Sequence, residues 1–200
     1  MIVRFVAALL LAIVLPAAAQ EPYPSRPVRI LVPYAPGGAT DIIARIVAAK
    51  LTVSLGQSFV VENRTGANGN LALEAAAKAA PDGYTLLVGN VSTNAINESI
   101  YREQLSIQPS RDLVGITKLV EIPHVVVASA SLPANSIAEL IAAAKKEPGK
   151  INFASVGMGS YPHLDMERFM RAAGIDLTHV PYKGGAGQAI PAMIAGEVQV

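Results

Sequence analysis

The sequence has no cysteine and no tryptophan, and only 5% of its residues are aromatic and 16% charged. Without cysteine there is no disulfide framework, no lipoprotein anchor site and no thiolate for a metal. This does not argue against export, because a domain of this size folds without covalent staples. The three histidines, His124, His163 and His179, are scattered with no metal-ligand spacing. Basic and acidic residues nearly cancel, 16 against 15, and no Lys/Arg cluster breaks the balance. Such a chain has little to offer nucleic acid, whose affinity rests on neutralised phosphates and, for single strands, on aromatic stacking.

The N-terminus has the order of a secretory signal. Arg4 precedes an apolar run over 5–15, followed by Pro16 and Ala17-Ala18-Ala19. The run falls short of the ~20 residues that span a bilayer, and the small residues suit a signal peptidase. Residues 1–19 are expected to be a signal peptide, with the mature chain starting at Gln20.

Beyond a Pro-rich lead-in, apolar runs alternate with helical periodicity. Strands are expected at 28–32, 59–61 and 85–88. Between them lie a helix opened by Thr40-Asp41 and closed by Gly56, a Gly/Asn-rich loop over 63–70, and an Ala-rich helix over 71–80. Ile42, Ile43, Ile46, Val47 and Leu51 form the expected apolar face of the first helix. Near-continuous apolar strands between helices predict a parallel sheet. After an irregular stretch over 90–115 the pattern restarts. Strands are expected at 125–128, 151–154 and 178–180, helices at 136–146, 160–173 and 185–195, and a last strand begins at 197. The outline is two α/β lobes, 20–120 and 121–200.

Ligands in such sheets sit beyond the carboxyl ends of the strands, so the strand-to-helix loops carry the candidates. The first is Pro33 to Asp41, in which Gly37 and Gly38 allow close backbone approach and the helix start suits a carboxylate. An ordinary turn capped by Thr40 or Asp41 accounts for the same residues. The second is Ser155 to Leu164, with hydroxyls at Ser155 and Ser160 and glycines at 157 and 159; a plain helix cap at Ser160 is the alternative. Pro162 excludes a dinucleotide fingerprint, and no Gly-Lys-Ser/Thr follows to make a phosphate loop; no cofactor is expected. A third loop offers Tyr182 and Lys183, either as a wall and an anion partner or as a packed ring and a solvated cation. Gly89 to Asn94, with Ser92, suits a hydrogen-bonding rim and a turn equally. Ser160, His163 and Asp165 share one helical turn, which cannot align a nucleophile, base and orienting acid, and there is no Gly-x-Ser-x-Gly elbow. A binding module rather than an enzyme is expected, with an exported hydrolase or transferase as the alternative.

At these loops the sequence resembles the Bug receptors, the periplasmic solute-binding receptors of tripartite tricarboxylate transporters. The likeness is carried by Tyr23-Pro24-Ser25-Arg26-Pro27-Val28-Arg29, the loop from Pro33 to Asp41, Val61-Glu62-Asn63-Arg64, Ala80 to Leu87, the loop from Ser155 to Leu164, and His179 to Gly184, in family order. The resemblance implies a two-lobed periplasmic-binding-protein fold of the Venus-flytrap, type II-like kind. It also implies a periplasmic location, a small carboxylate ligand, membrane transporter subunits as partners and a monomeric full-length receptor. A sensing receptor would look the same. Carried over by residue, it points to Tyr34, Gly37, Gly38, Ala39, Thr40 and Asp41 in the first lobe. In the second it points to Ser155, Gly157, Gly159, Ser160 and His163. Asp41 is expected to cap backbone amides or to orient a water. The usual Gly-Ala-Gly-Gly stretch reads Gly66-Ala67-Asn68-Gly69 here. Family members continue past the point where this sequence stops, so the fold is expected to be incomplete at its C-terminus, with exposed sheet edges and poor stability.

Overall fold

A computed structural model describes residues 22–182 and 184–200; the expected signal segment and Lys183 lie outside them. The apolar run Val28–Val32 forms β1, the central strand of a parallel sheet ordered β2-β1-β3, with β2 at Phe59–Asn63 and β3 at Thr85–Leu87. Ile30 pairs with Val61 on one side and Leu86 on the other. Val28, Ile30, Leu31 and Val32 are all buried, so β1 is covered on both faces. Each such side chain contributes roughly 1.5–3 kcal/mol of apolar burial.

Helix α1, Ala39–Leu55, links β1 to β2 and ends at Gly56, whose φ of 70° is the left-handed C-cap conformation. It turns a different face inward from the one its isoleucines suggest. Ala44 and Ala48 are buried against Val28, Ile30, Val32 and Phe59, while Ile42 and Ile46 are exposed. The branched strand side chains fill that layer, so alanines sit closest to them, and of the expected face Leu51 packs partly buried against the same core. Helix α2, Asn70–Ala77, returns to β3 and buries Ala72 and Leu73. The lead-in packs on the turn before β3, where the Arg26 guanidinium lies 3.9 Å from the centre of the Tyr84 ring and pairs with Asp82 at 2.9 Å.

The middle is more ordered than its sequence suggests. A π-type turn at Ser92–Ile96 runs into α3, Asn97–Ile100, and α4 follows at Pro109–Asp112. The strand expected at 125–128 is not formed. Residues 113–128 contain no helix or strand, and Val114 and Val125 are 91% and 76% exposed. An extended segment with no ladder partner leaves its backbone groups facing solvent.

The second sheet pairs β4, Asn152–Ser155, in parallel with β5, Thr178–Pro181. Helix α5, Ile137–Lys146, is capped by Ser136, whose Oγ accepts the Glu139 N–H at 3.2 Å. Helix α6, Tyr161–Ala173, carries Pro162 in its first turn and ends at Gly174. Helix α7 spans Ala186–Ile194. Leu140, Ala144, Ile151, Phe153, Met170, Leu177 and Val200 form this core. The expected last strand is present only as pairing beside β4: the Gln199 N–H donates to Asn152 O and the Ala154 N–H to Val200 O. Among the described residues no helix is long and apolar enough to cross a membrane.

Candidate functional site

The loop after β1 is organised by a carboxylate. The helix cap is Gly38, not Thr40 or Asp41, yet Asp41 supplies the capping acceptor from inside the first turn. Its Oδ2 accepts the Gly37 N–H at 3.0 Å and the Arg45 Nε–H at 3.0 Å. Its Oδ1 accepts the Asn63 Nδ2–H at 2.9 Å. Asn63 Nδ2 also donates to Tyr34 O, binding the loop to the end of β2. Gly37, at φ 92°, occupies backbone space that a side chain would strain. The Arg45 guanidinium, ahead of the amide donors, lowers the Asp41 pKa to about 2 although burial opposes it. Asp41 is only 3% exposed, and both oxygens are engaged. It shapes the loop rather than facing a second anion. Gly38 is buried behind it, Thr40 is half-buried, and Ala39 points to solvent.

The loop after β4 is organised by two histidines. Ser155 Oγ lies 2.6 Å from His179 Nε2 and accepts the Gly157 N–H at 3.1 Å. His163 Nδ1 accepts the Gly159 N–H at 3.1 Å. The two imidazoles stand 4.1 Å apart between centroids, and Phe153 stacks on His179 at 4.9 Å. Burial, with the His163 charge second, lowers the His179 pKa to about 4. Two of the three histidines that look scattered in sequence, His163 and His179, therefore meet beneath one loop, while His124 lies 2.9 Å from Asp165; no cluster of metal-ligand residues occurs among the described residues. His163 spends its Nδ1 lone pair on the loop backbone. Ser160 takes the N-cap position of α6 without making the cap bond. Its hydroxyl is fully buried and has no partner among the described residues. In the first turn that follows, Pro162 has no N–H and the Tyr161 N–H is given to Ser92 Oγ, so the Ser160 hydroxyl is the group this helix start leaves for a ligand acceptor.

The loop after β4 meets the segment that follows β3 across a seam. The Tyr161 N–H donates to Ser92 Oγ at 3.0 Å, and Tyr101 OH donates to Met158 O at 2.7 Å. The Ala35 N–H donates to Gly184 O at 3.0 Å, so the third loop meets the first. Added methyls on Gly185 and Gly187 would lie 3.4 Å from Tyr34 Cβ and 2.5 Å from Pro36 O. Tyr34 is buried, with its OH 3.3 Å from Asn90 Oδ1. Burial raises its pKa against the hydrogen bonds of Asn90 and Ser92. Tyr182 joins through its backbone N–H to Ser155 O, and its ring is half-buried.

Tyr34, Gly38, Ser92, Ser155, Gly157, Gly159 and Ser160 are thus gathered at or beside the seam. His163 and Asp41 support it from behind. Reasoning from sequence missed the roles of Tyr101, His179 and the asparagine group at 68, 70 and 97, whereas Asn90 lies in the segment expected to form a hydrogen-bonding rim. Only the unusual asparagine density of these loops signals them.

Comparison with known proteins places this geometry in a group. Residues 43–200 match the model of the tripartite tricarboxylate transporter family receptor. Protein BugT of Bordetella pertussis is 38% identical over 178 residues, covering 89% of this chain and 54% of BugT. The structure of MatC (Rpa3494) from Rhodopseudomonas palustris with bound malate superposes with a TM-score of 0.81 at 33% identity, covering 88% of this chain and 60% of that one. R. palustris Rpa4515 with adipate gives 0.78 at 35% identity, covering 88% and 58%. The chain spans little more than half the length of the relatives it matches.

Proposed function

Because this chain belongs to the tripartite tricarboxylate transporter receptor family, we propose that it captures a small carboxylate between its lobes in the periplasm and hands it to a tripartite tricarboxylate-type membrane transporter. The observation that carries this reading is Ser160, a buried hydroxyl at the start of α6 with no partner among the described residues, beside the Tyr161 N–H that donates to Ser92 Oγ. Relatives with adipate and malate support the ligand class. A carboxylate at that point would accept from the Ser160 hydroxyl, a charge-assisted bond that needs no cation. The lobe division near residue 120 and the export signal belong to the same proposal.

Calorimetric titration of the purified protein with di- and tricarboxylates, amino acids and aromatic acids tests it, with saturable binding of at least one acid expected. The double variant Ser160→Ala, Thr40→Ala is expected to bind that acid about tenfold more weakly while keeping the wild-type melting curve. Unchanged affinity removes those hydroxyls from the site. The Ser155–His179 contact is the one feature that favours a hydrolase. Ser155 is 3% exposed, and its Oγ is also held by Gly157, which suits a loop anchor better than a nucleophile. Turnover of an ester with no binding of any acid would reverse the order of the two readings.

A further inference from the structure

Asn68 stands in the left-handed region, φ 54° and ψ 34°, where asparagine is more at ease than most residues. Its amide orientation follows from its neighbours. Asn97 Nδ2 has two hydrogens and donates to Asn68 O at 3.0 Å and to Asn70 Oδ1 at 2.5 Å. A backbone oxygen cannot donate, so Asn97 must present its nitrogen there and its Oδ1 on the other side. That Oδ1 accepts the Asn68 Nδ2–H at 2.8 Å. The Asn68 carbonyl is therefore turned away from the asparagine group. It points toward the second lobe, where a methyl added to Gly157 would lie 3.4 Å from it. Asn68 is 9% exposed, and its Oδ1 joins Ser160 Oγ as a buried side-chain atom with no partner among the described residues. One belongs to the first lobe and the other to the loop of the second lobe that it touches. A hydroxyl can serve a carboxylate, whereas an amide oxygen repels one and requires a donor.

We propose that Asn68 is a specificity-determining residue whose Oδ1 accepts a hydrogen bond from a hydroxyl or amino group of the ligand, so that hydroxy and amino acids are favoured over the same acids without that group. The inference rests on the seam being a carboxylate site. A buried amide oxygen left without a donor is costly, and a ligand that supplies one removes the cost.

The test is calorimetry on three matched sets: succinate, malate and aspartate; tricarballylate and citrate; 3-phenylpropionate, phenyllactate and phenylalanine. Wild type is expected to bind a donor-bearing member of at least one set about tenfold more tightly than its unsubstituted partner. Comparing malate with aspartate tells a hydroxyl from an ammonium donor. Asn68→Gly, which keeps the backbone conformation, is expected to bring that ratio close to one. Asn68→Asp keeps an acceptor at the same point and is expected to retain the preference, shifted toward the amino member, while weakening every acid. If the glycine variant does not fold, the aspartate variant decides by this shift, and its absence overturns the proposal. Equal affinities in wild type, or a preference that survives Asn68→Gly, also overturn it while leaving the carboxylate receptor intact. Failure of every acid to bind overturns the receptor reading and this inference together.

Discussion

Asp41 and Asn68 show how one side chain can set the shape of a loop or the choice of what it holds. Asp41 keeps its charge because Arg45, Asn63 and the Gly37 N–H surround it. Its folded pKa of about 2 lies below the ordinary 3.8. The stability it contributes is present above pH 4 and lost as pH falls toward 2. A shift of that size corresponds to about 2 kcal/mol. Asp41→Asn is expected to lose about that much at neutral pH and to flatten the acid limb between pH 4 and 2, measured by urea denaturation across pH. An unchanged acid limb would mean that Asp41 is not held as described. At this scale the sequence was partly legible. Asp41 in a Gly-Gly-Ala-Thr-Asp turn pointed to backbone capping, but the cap at Gly38 was not visible, because Asp41 caps from a position within the helix. Asn68 was legible only as a departure, since the direction of its carbonyl depends on Asn97, 29 residues away.

Where strand gives way to helix, the two halves use different anchors for the same kind of loop. The first is tied by a charged network, the second by a pair of imidazoles. His179 resists protonation because it is buried beside His163. Its folded pKa of about 4 lies below the usual 6.5, so the folded state refuses a proton that the unfolded chain accepts. Stability is full above pH 6.5 and declines as pH falls toward 4. Melting temperature should drop over that window, and His179→Gln should remove most of this dependence. A variant with the wild-type profile would locate the titration elsewhere. Most strands and helices could be read from hydrophobic period, with ends displaced by one to three residues. The buried face of α1 could not, because large isoleucines outrank alanines in any pattern while the close packing favours the small residues. Neither could the 125–128 segment, since β-branched composition makes a strand only where an edge is free to pair.

The whole molecule combines two well-filled cores with a long apolar connection between them. Val114, Ile116 and Val125 are mostly exposed, and Val126, Val127 and Ile122 lie beside them. Exposed runs of this composition bind dyes and one another. The purified protein is expected to enhance 1-anilinonaphthalene-8-sulfonate fluorescence and to self-associate at micromolar concentration, as followed by sedimentation velocity. Monomeric sedimentation with one cooperative thermal transition would contradict this. The two-lobed plan was legible from the repeat of strand-loop-helix units. The seam was not, because its contacts join residues such as Ala35 and Gly184 that no local pattern links.

That Ala35–Gly184 bond, with the glycines packed around it, is made almost entirely of main chain. A clasp of this kind has no side chain to exchange, and a methyl at Gly187 already meets Pro36 O. Side chains added to these glycines would strain the clasp rather than retune it. Changes of ligand preference fall instead to the side chains beside it, such as those at 68, 90 and 92, and leave the main-chain clasp in place.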